Sequence, residues 1–167
     1  IAISGKTSIL RTISGLMPLF EGSIEWNGNP IHSLDSYYLE INYMGHTLGL
    51  SPELTGYENL LFYKTISGAK KPAMDILEAL STYEATNIIS KPIKFLSAGE
   101  KQKIVLARML IFDSPLWVLD EPFNSLDTKT QAILESRIDD HIVNGGTVLL
   151  TSHQPFSTYC ASRSITI

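Results

Sequence analysis

Leu116-Trp117-Val118-Leu119-Asp120-Glu121-Pro122 is the stretch from which the rest of this chain can be read. Four apolar residues in a row, preceded by the breaker Asp113-Ser114-Pro115, predict a strand buried on both faces. A strand of that kind belongs to a parallel sheet. It delivers Asp120 and Glu121 at its carboxyl end, where open α/β sheets bind their ligands. Two adjacent carboxylates repel each other unless a cation or a catalytic task holds them there. Asp120 is therefore a candidate to hold Mg²⁺ through its water shell, and Glu121 a candidate base that orients and polarises an attacking water. A solvated strand end is the plainer alternative.

Working outward, Gly5-Lys6-Thr7 has the form of the back half of a G-x-x-x-x-G-K-[ST] phosphate loop, set between a strand end at 1–3 and a helix over 6–16. Gly5 lets the backbone come close to phosphate, and the amides that open the helix point at its oxygens. Lys6 reaches the terminal phosphates and the Thr7 hydroxyl is a further Mg²⁺ ligand; Ser8 follows on the same turn and joins the nucleotide-binding set. The first glycine of the motif would precede Ile1, and Ile1-Ala2-Ile3-Ser4 carries no further Gly or Asn. The chain also begins inside this motif and not with Met, so a piece of a longer protein is expected, with N-terminal strands missing. A chance Gly-Lys-Thr is the competing explanation.

Between these two motifs the pattern predicts a short strand over 23–26 closed by Asn27-Gly28, and another over 39–44. A block rich in helices then spans 50–97: a helix over 55–66 opened by the capping-box pair Thr55 and Glu58, a second over 72–80, and a weaker third over 82–89. Past it come a helix over 98–112, the strand 116–119, a helix over 128–143 ended by Gly145-Gly146, and a strand over 147–151. A short helix after Pro155 and a last strand over 164–167 complete the pattern. Strands alternating with helices mean a parallel α/β sheet. The chain reads as one domain, with an α/β core over 1–49 and 98–167 and a helical insertion over 50–97.

Composition narrows the classes of function. The 167 residues are 44% hydrophobic and 18% charged, which is globular and not disordered. A net charge of −4 argues against a nucleic-acid partner, which would require a basic face. Cys160 is the single cysteine, so no internal disulfide forms and a reducing compartment is expected. No apolar run approaches the roughly 18 residues of a spanning helix, so a membrane link would go through a partner.

Leu96-Ser97-Ala98-Gly99-Glu100 stands before the carboxylate strand, with Ser97 placed to cap the helix that follows. It is succeeded by Lys101-Gln102-Lys103-Ile104-Val105-Leu106-Ala107-Arg108, and later by Asn124-Ser125-Leu126-Asp127 and Thr151-Ser152-His153. Together with Gly5-Lys6-Thr7 and Asp120-Glu121, these five motifs resemble, in order and interval, the nucleotide-binding domain of ABC transporters. The resemblance covers essentially the whole chain. It implies a P-loop NTPase (RecA-like) core with the ABC helical subdomain inserted, and an ATPase with ATP and Mg²⁺ bound. It also implies a head-to-tail dimer of two such domains. In that arrangement Ser97, Ala98 and Gly99 of one copy face the phosphate held by Lys6 and Thr7 of the other. Asp127 links the two sites, and His153 contacts the γ-phosphate beside the base Glu121. Membrane-spanning exporter subunits are the remaining partners it implies.

One position departs from the pattern. His46, in Tyr43-Met44-Gly45-His46-Thr47-Leu48-Gly49, stands where most members carry a glutamine that contacts Mg²⁺. A histidine can ligate metal or hold a water, so His46 is either a working substitute or a tolerated change. This stretch, together with Trp117 and His153-Gln154-Pro155, is most similar to the ATPase subunits of haem exporters in cytochrome c maturation. Those are peripheral on the cytoplasmic face of the bacterial inner membrane, or on the matrix face in mitochondria. A soluble ABC ATPase without a transport role and a catalytically impaired fragment are the other readings.

Overall fold

A computed structural model describes residues 5–34, 36–67, 71–153, 158 and 160. In chain order the elements are α1 (Gly5–Ile13), β1 (Glu25–Trp26), β2 (Asn29–Pro30), α2 (Tyr37–Glu40), β3 (Ile41–Met44), α3 (Gly56–Ile66), α4 (Ile76–Thr82), α5 (Ala98–Leu110), β4 (Leu116–Asp120), α6 (Thr128–Val143) and β5 (Thr147–Thr151). Three strands form a parallel sheet in the order β3-β4-β5. Ile41 is opposite Leu116 in the first pair, and Leu116 is opposite Thr147 in the second.

The middle strand is buried along its whole length because both faces of the sheet are covered. Side chains alternate across it. Leu116 and Val118 pack with Leu10 of α1, Tyr37 and Ile41. Trp117 and Leu119 point the other way, into a larger core built from α3, α4, α5 and α6 that includes Leu60, Leu80, Leu106, Leu134 and Ile138. Period-two alternation on a two-sided strand explains why four consecutive residues are all apolar.

Several boundaries predicted from sequence hold: α3 with its Thr55–Glu58 capping box, the strand over 116–119, the helix over 128–143 and the strand over 147–151. Others move. The first helix stops at Ile13 and not at Leu16. Gly15 turns left-handed (φ 71°), while the amides of Gly15 and Leu16 donate back to Thr12 and Arg11. Ile9 and Leu16 are exposed, and only Leu10 of the expected stripe is buried. The first strand shrinks to two residues, joined to β2 by the left-handed pair Asn27-Gly28.

The strand expected over 39–44 begins only at Ile41, because a helical turn precedes it. Buried Tyr37 anchors that turn by donating its hydroxyl to the carbonyl of Ile13 at 3.0 Å. The helix expected over 72–80 starts at Ile76, with Asp75 as its cap. Pro72 instead bridges to Phe112, and the amide of Ala73 donates to Ile111. In place of the third helix there is a single 3₁₀ turn at Thr86–Ile88, after left-handed Glu84 interrupts the chain. The helix expected over 98–112 ends at Leu110. The strand end at 1–3, the helix after Pro155 and the strand over 164–167 lie outside the described residues. No helix among the described residues is long and apolar enough to cross a membrane.

Candidate functional site

The carboxyl ends of the three parallel strands lie side by side, and each delivers a residue singled out from the sequence. His46 follows β3, Asp120 ends β4 with Glu121 directly after it, and His153 follows β5. A cleft of about 330 Å³ opens at this edge. His46, Ala98, Asp120 and Glu121 line it, joined by Lys101, Gln102 and Ser125, which sequence reasoning had not assigned to the site.

Asp120 is buried. One carboxylate oxygen accepts a hydrogen bond from the Thr151 hydroxyl at 2.7 Å, and the other is buried with no partner. An ionised oxygen in that state is costly unless something binds it. A hard oxygen donor with a free lone pair at the edge of a cleft suits Mg²⁺. Burial raises the pKa of the neighbouring Tyr43, and the charge of Asp120 adds to the rise.

Glu121 is held differently. Its backbone is left-handed (φ 53°), a conformation that costs a non-glycine residue roughly 1–3 kcal/mol. The surroundings enforce it: the Glu121 amide donates to the carbonyl and the hydroxyl of Thr151 at 3.2 and 3.1 Å. The turn brings the carboxylate against His153. The His153 amide donates to Glu121 Oε2 at 3.3 Å, and its Nε2 lies 3.4 Å from Oε1. Thr151 thus serves both acids at once. The sequence had marked Thr151 only as the start of the Thr151-Ser152-His153 motif at the end of a strand.

Behind the acids, the buried Gln102 of α5 donates to the carbonyl of Pro122 at 3.0 Å, tying the helix to the turn that carries Glu121. Ser97 caps α5 in a capping box. Its hydroxyl accepts from the Glu100 amide at 3.2 Å and the Glu100 carboxylate accepts from the Ser97 amide at 2.8 Å. The hydrogen bond from the Ser97 backbone amide holds the Glu100 carboxyl below its usual range. Gly99 passes so close to Ser125 that a Cβ would sit 2.6 Å from that carbonyl oxygen.

The remaining predicted residues lie outside the cleft lining. Ser97 and Gly99 flank Ala98 without lining the cleft, and Asp127 caps α6, accepting from the Thr130 amide at 2.8 Å. That bond and Lys103, at 3.3 Å, pull the Asp127 pKa down to about 2. Gly5, Lys6, Thr7 and Ser8 form the first turn of α1, which packs against β4 and β5. Gly5 is exposed there, and the other three are half-buried.

Known proteins resemble this chain in both sequence and fold. The ABC transporter family model matches residues 4–124. The cytochrome c biogenesis ATP-binding export protein CcmA of Haemophilus influenzae is 41% identical over 154 residues, covering 90% of this chain and 71% of that protein. The protein of the same name from Methylococcus capsulatus is 38% identical, covering 98% and 80%. A bacterial ABC transporter cassette solved as a dimer is 25% identical, with a TM-score of 0.77 over 90% of this chain and 71% of that one. The same cassette matches equally well in a dimeric post-hydrolysis state bound to ADP and Pi. A parallel sheet with paired acids at its carboxyl edge, in a sequence that the family model matches over residues 4–124 and relatives match over 90% or more of the chain, leads to one conclusion: the chain belongs to the ABC transporter family and is an ATP-hydrolysing cassette.

Proposed function

We propose that this cassette is the ATP-binding, ATP-hydrolysing subunit of an exporter in cytochrome c biogenesis, with haem as the exported group. It would lie on the cytoplasmic face of the bacterial inner membrane against membrane-spanning subunits. The relatives named above are bacterial export proteins, and they lend no support to a mitochondrial setting or to a soluble, non-transport role. The division into an α/β core over 1–49 and 98–167 and a helical part over 50–97 is part of the same proposal.

In this reading Gly5, Lys6, Thr7 and Ser8 take the phosphates of ATP, with the first-turn amides of α1 as donors. Ser97, Ala98 and Gly99 of a second copy close over them, and Asp127 works at the junction between the two copies. Asp120 and Thr7 would hold Mg²⁺, with His46 as a further candidate; the bound metal supplies charge neutralisation on the phosphates. Glu121 accepts a proton from the attacking water, whose oxygen forms the new bond to phosphorus as the β–γ bridge breaks. His153, beside Glu121, orients that carboxylate and contacts the γ-phosphate. The observation that best supports the reading is the pairing of a buried, half-satisfied Asp120 with a strained Glu121 that is turned onto His153.

The test is Glu121→Gln in the full-length chain. It keeps the side-chain shape and the contact with the His153 amide, but it cannot take the proton. ATP hydrolysis should fall by about 10²–10⁴-fold while ATP is still bound, which nucleotide-binding and phosphate-release assays read separately. Hydrolysis at the normal rate would remove Glu121 from the role of base.

A further inference from the structure

The loop that leaves β3 and carries His46 is gripped by side chains that the hydrolytic reading does not use. Arg108, half-buried on α5, donates from Nη1 to the carbonyl of Leu48 at 3.1 Å, two residues beyond His46. Its guanidinium carbon lies 5.1 Å from the centre of the Tyr63 ring on α3. The Tyr63 hydroxyl donates to Asn42 Oδ1 on β3 at 3.0 Å, and Asn42 Nδ2 donates to the carbonyl of Met109 at 2.9 Å. Met109 follows Arg108, so the circuit closes on α5.

The loop also runs close over the guanidinium. Gly49 is left-handed (φ 63°), and a Cβ there would be 3.5 Å from Arg108 Nη1. Farther along, Asn59 of α3 accepts from the Ser51 amide at 2.7 Å and donates to the Ser51 carbonyl at 3.1 Å. Two side chains, one on α5 and one on α3, thus set where the loop lies.

Arg108 forms no ion pair among the described residues, and a half-buried cation without a carboxylate is costly. Its planar fork donates to the carbonyl from its edge while its flat face rests on the aromatic ring, a stacked geometry that the point charge of a lysine does not reproduce. The loop it holds contributes Gly45, His46 and Leu48 to the lining of the cleft shared with Asp120 and Glu121. We propose that Arg108 is a positioning residue for hydrolysis. By gripping the Leu48 carbonyl it sets the place of His46 at the cleft, and by resting on Tyr63 it ties that place to α3. The inference rests on the cleft being the site of ATP hydrolysis.

The experiment compares Arg108→Lys, His46→Ala, their double variant and Glu121→Gln, each in the full-length protein. It measures kcat, KM for ATP, affinity for a fluorescent ATP analogue and thermal unfolding. Arg108→Lys should lower kcat roughly tenfold while affinity stays within about threefold of the parent. The double variant should be no slower than His46→Ala alone, since both changes act through one residue. If Arg108→Lys does not fold, Tyr63→Leu removes the aromatic support and must show the same loss and the same non-additivity.

An unchanged kcat in Arg108→Lys, or losses that multiply in the double variant, overturns the proposal. Normal turnover in His46→Ala also overturns it, while a dead Glu121→Gln leaves the ATPase reading standing. Normal hydrolysis in Glu121→Gln takes down that reading and the proposal with it.

Discussion

Asp120 and Glu121 are chain neighbours, yet the structure places them in opposite situations. Asp120 ends a regular strand, buried, with one oxygen satisfied by Thr151 and the other open. Glu121 leaves the strand through a left-handed backbone and meets His153. The two carboxylates part at one left-handed residue, which no side-chain pattern announces. Two acids at the end of a buried strand could be read from the sequence, but the sharing of Thr151 between them could not, because it depends on the β4–β5 register. A similar close fit governs Gly99, where a methyl group would lie 2.6 Å from the Ser125 carbonyl. Gly99→Ala should destabilise the fold by about 1–3 kcal/mol, measured by urea unfolding, because backbone must shift to admit it.

At the scale of elements, the helices whose ends carry strong local chemistry were the legible ones. Thr55 and Ser97 cap their helices as residue type and spacing predict, since a capping box is closed by atoms three residues apart. The helix expected from Pro72 was misplaced because long-range pairing with 111–113 draws 72–74 into an extended path, a contact that lies beyond any local window. The cap of α6 gives a pH-dependent test. Asp127 has a folded pKa of about 2 against a reference of 3.8, held down first by the Thr130 amide. A depressed carboxylate stabilises the fold above its unfolded pKa, and that contribution fades as pH falls through the folded value. Asp127→Ala should therefore be less stable than the parent at neutral pH. The gap should be constant above about pH 4 and narrow between about 4 and 2 in equilibrium unfolding. Asp127→Asn, which keeps an acceptor for Thr130, should show a smaller and flatter difference.

For the molecule as a whole, the cleft collects His46, Ala98, Asp120 and Glu121 within one chain, whereas Ser97 and Gly99 sit beside it without lining it. That division fits a site finished by a second copy, and it leads to a complementation test. Lys6→Ala and Ser97→Arg should each abolish hydrolysis as homodimers. Mixed in equal amounts, they should recover about a quarter of parental activity, because half the dimers are mixed and one of their two sites is intact. No recovery on mixing, with exchange of subunits verified, would remove the head-to-tail arrangement. Parallel pairing was legible from the alternation of strands and helices, but the strand order was not, because it depends on which edge each crossover returns to.

That order also bears on how the protein is made. Ile41 pairs with Leu116, which is synthesised 75 positions later. At about 5–20 residues per second, a ribosome takes roughly 4–15 s to cover that gap. For an interval of that length β3 is outside the ribosome while its partner strand has not yet emerged, and the nascent chain carries an unpaired apolar edge. The middle strand that brings Asp120 to the cleft is also the one that ends this period of exposure to aggregation.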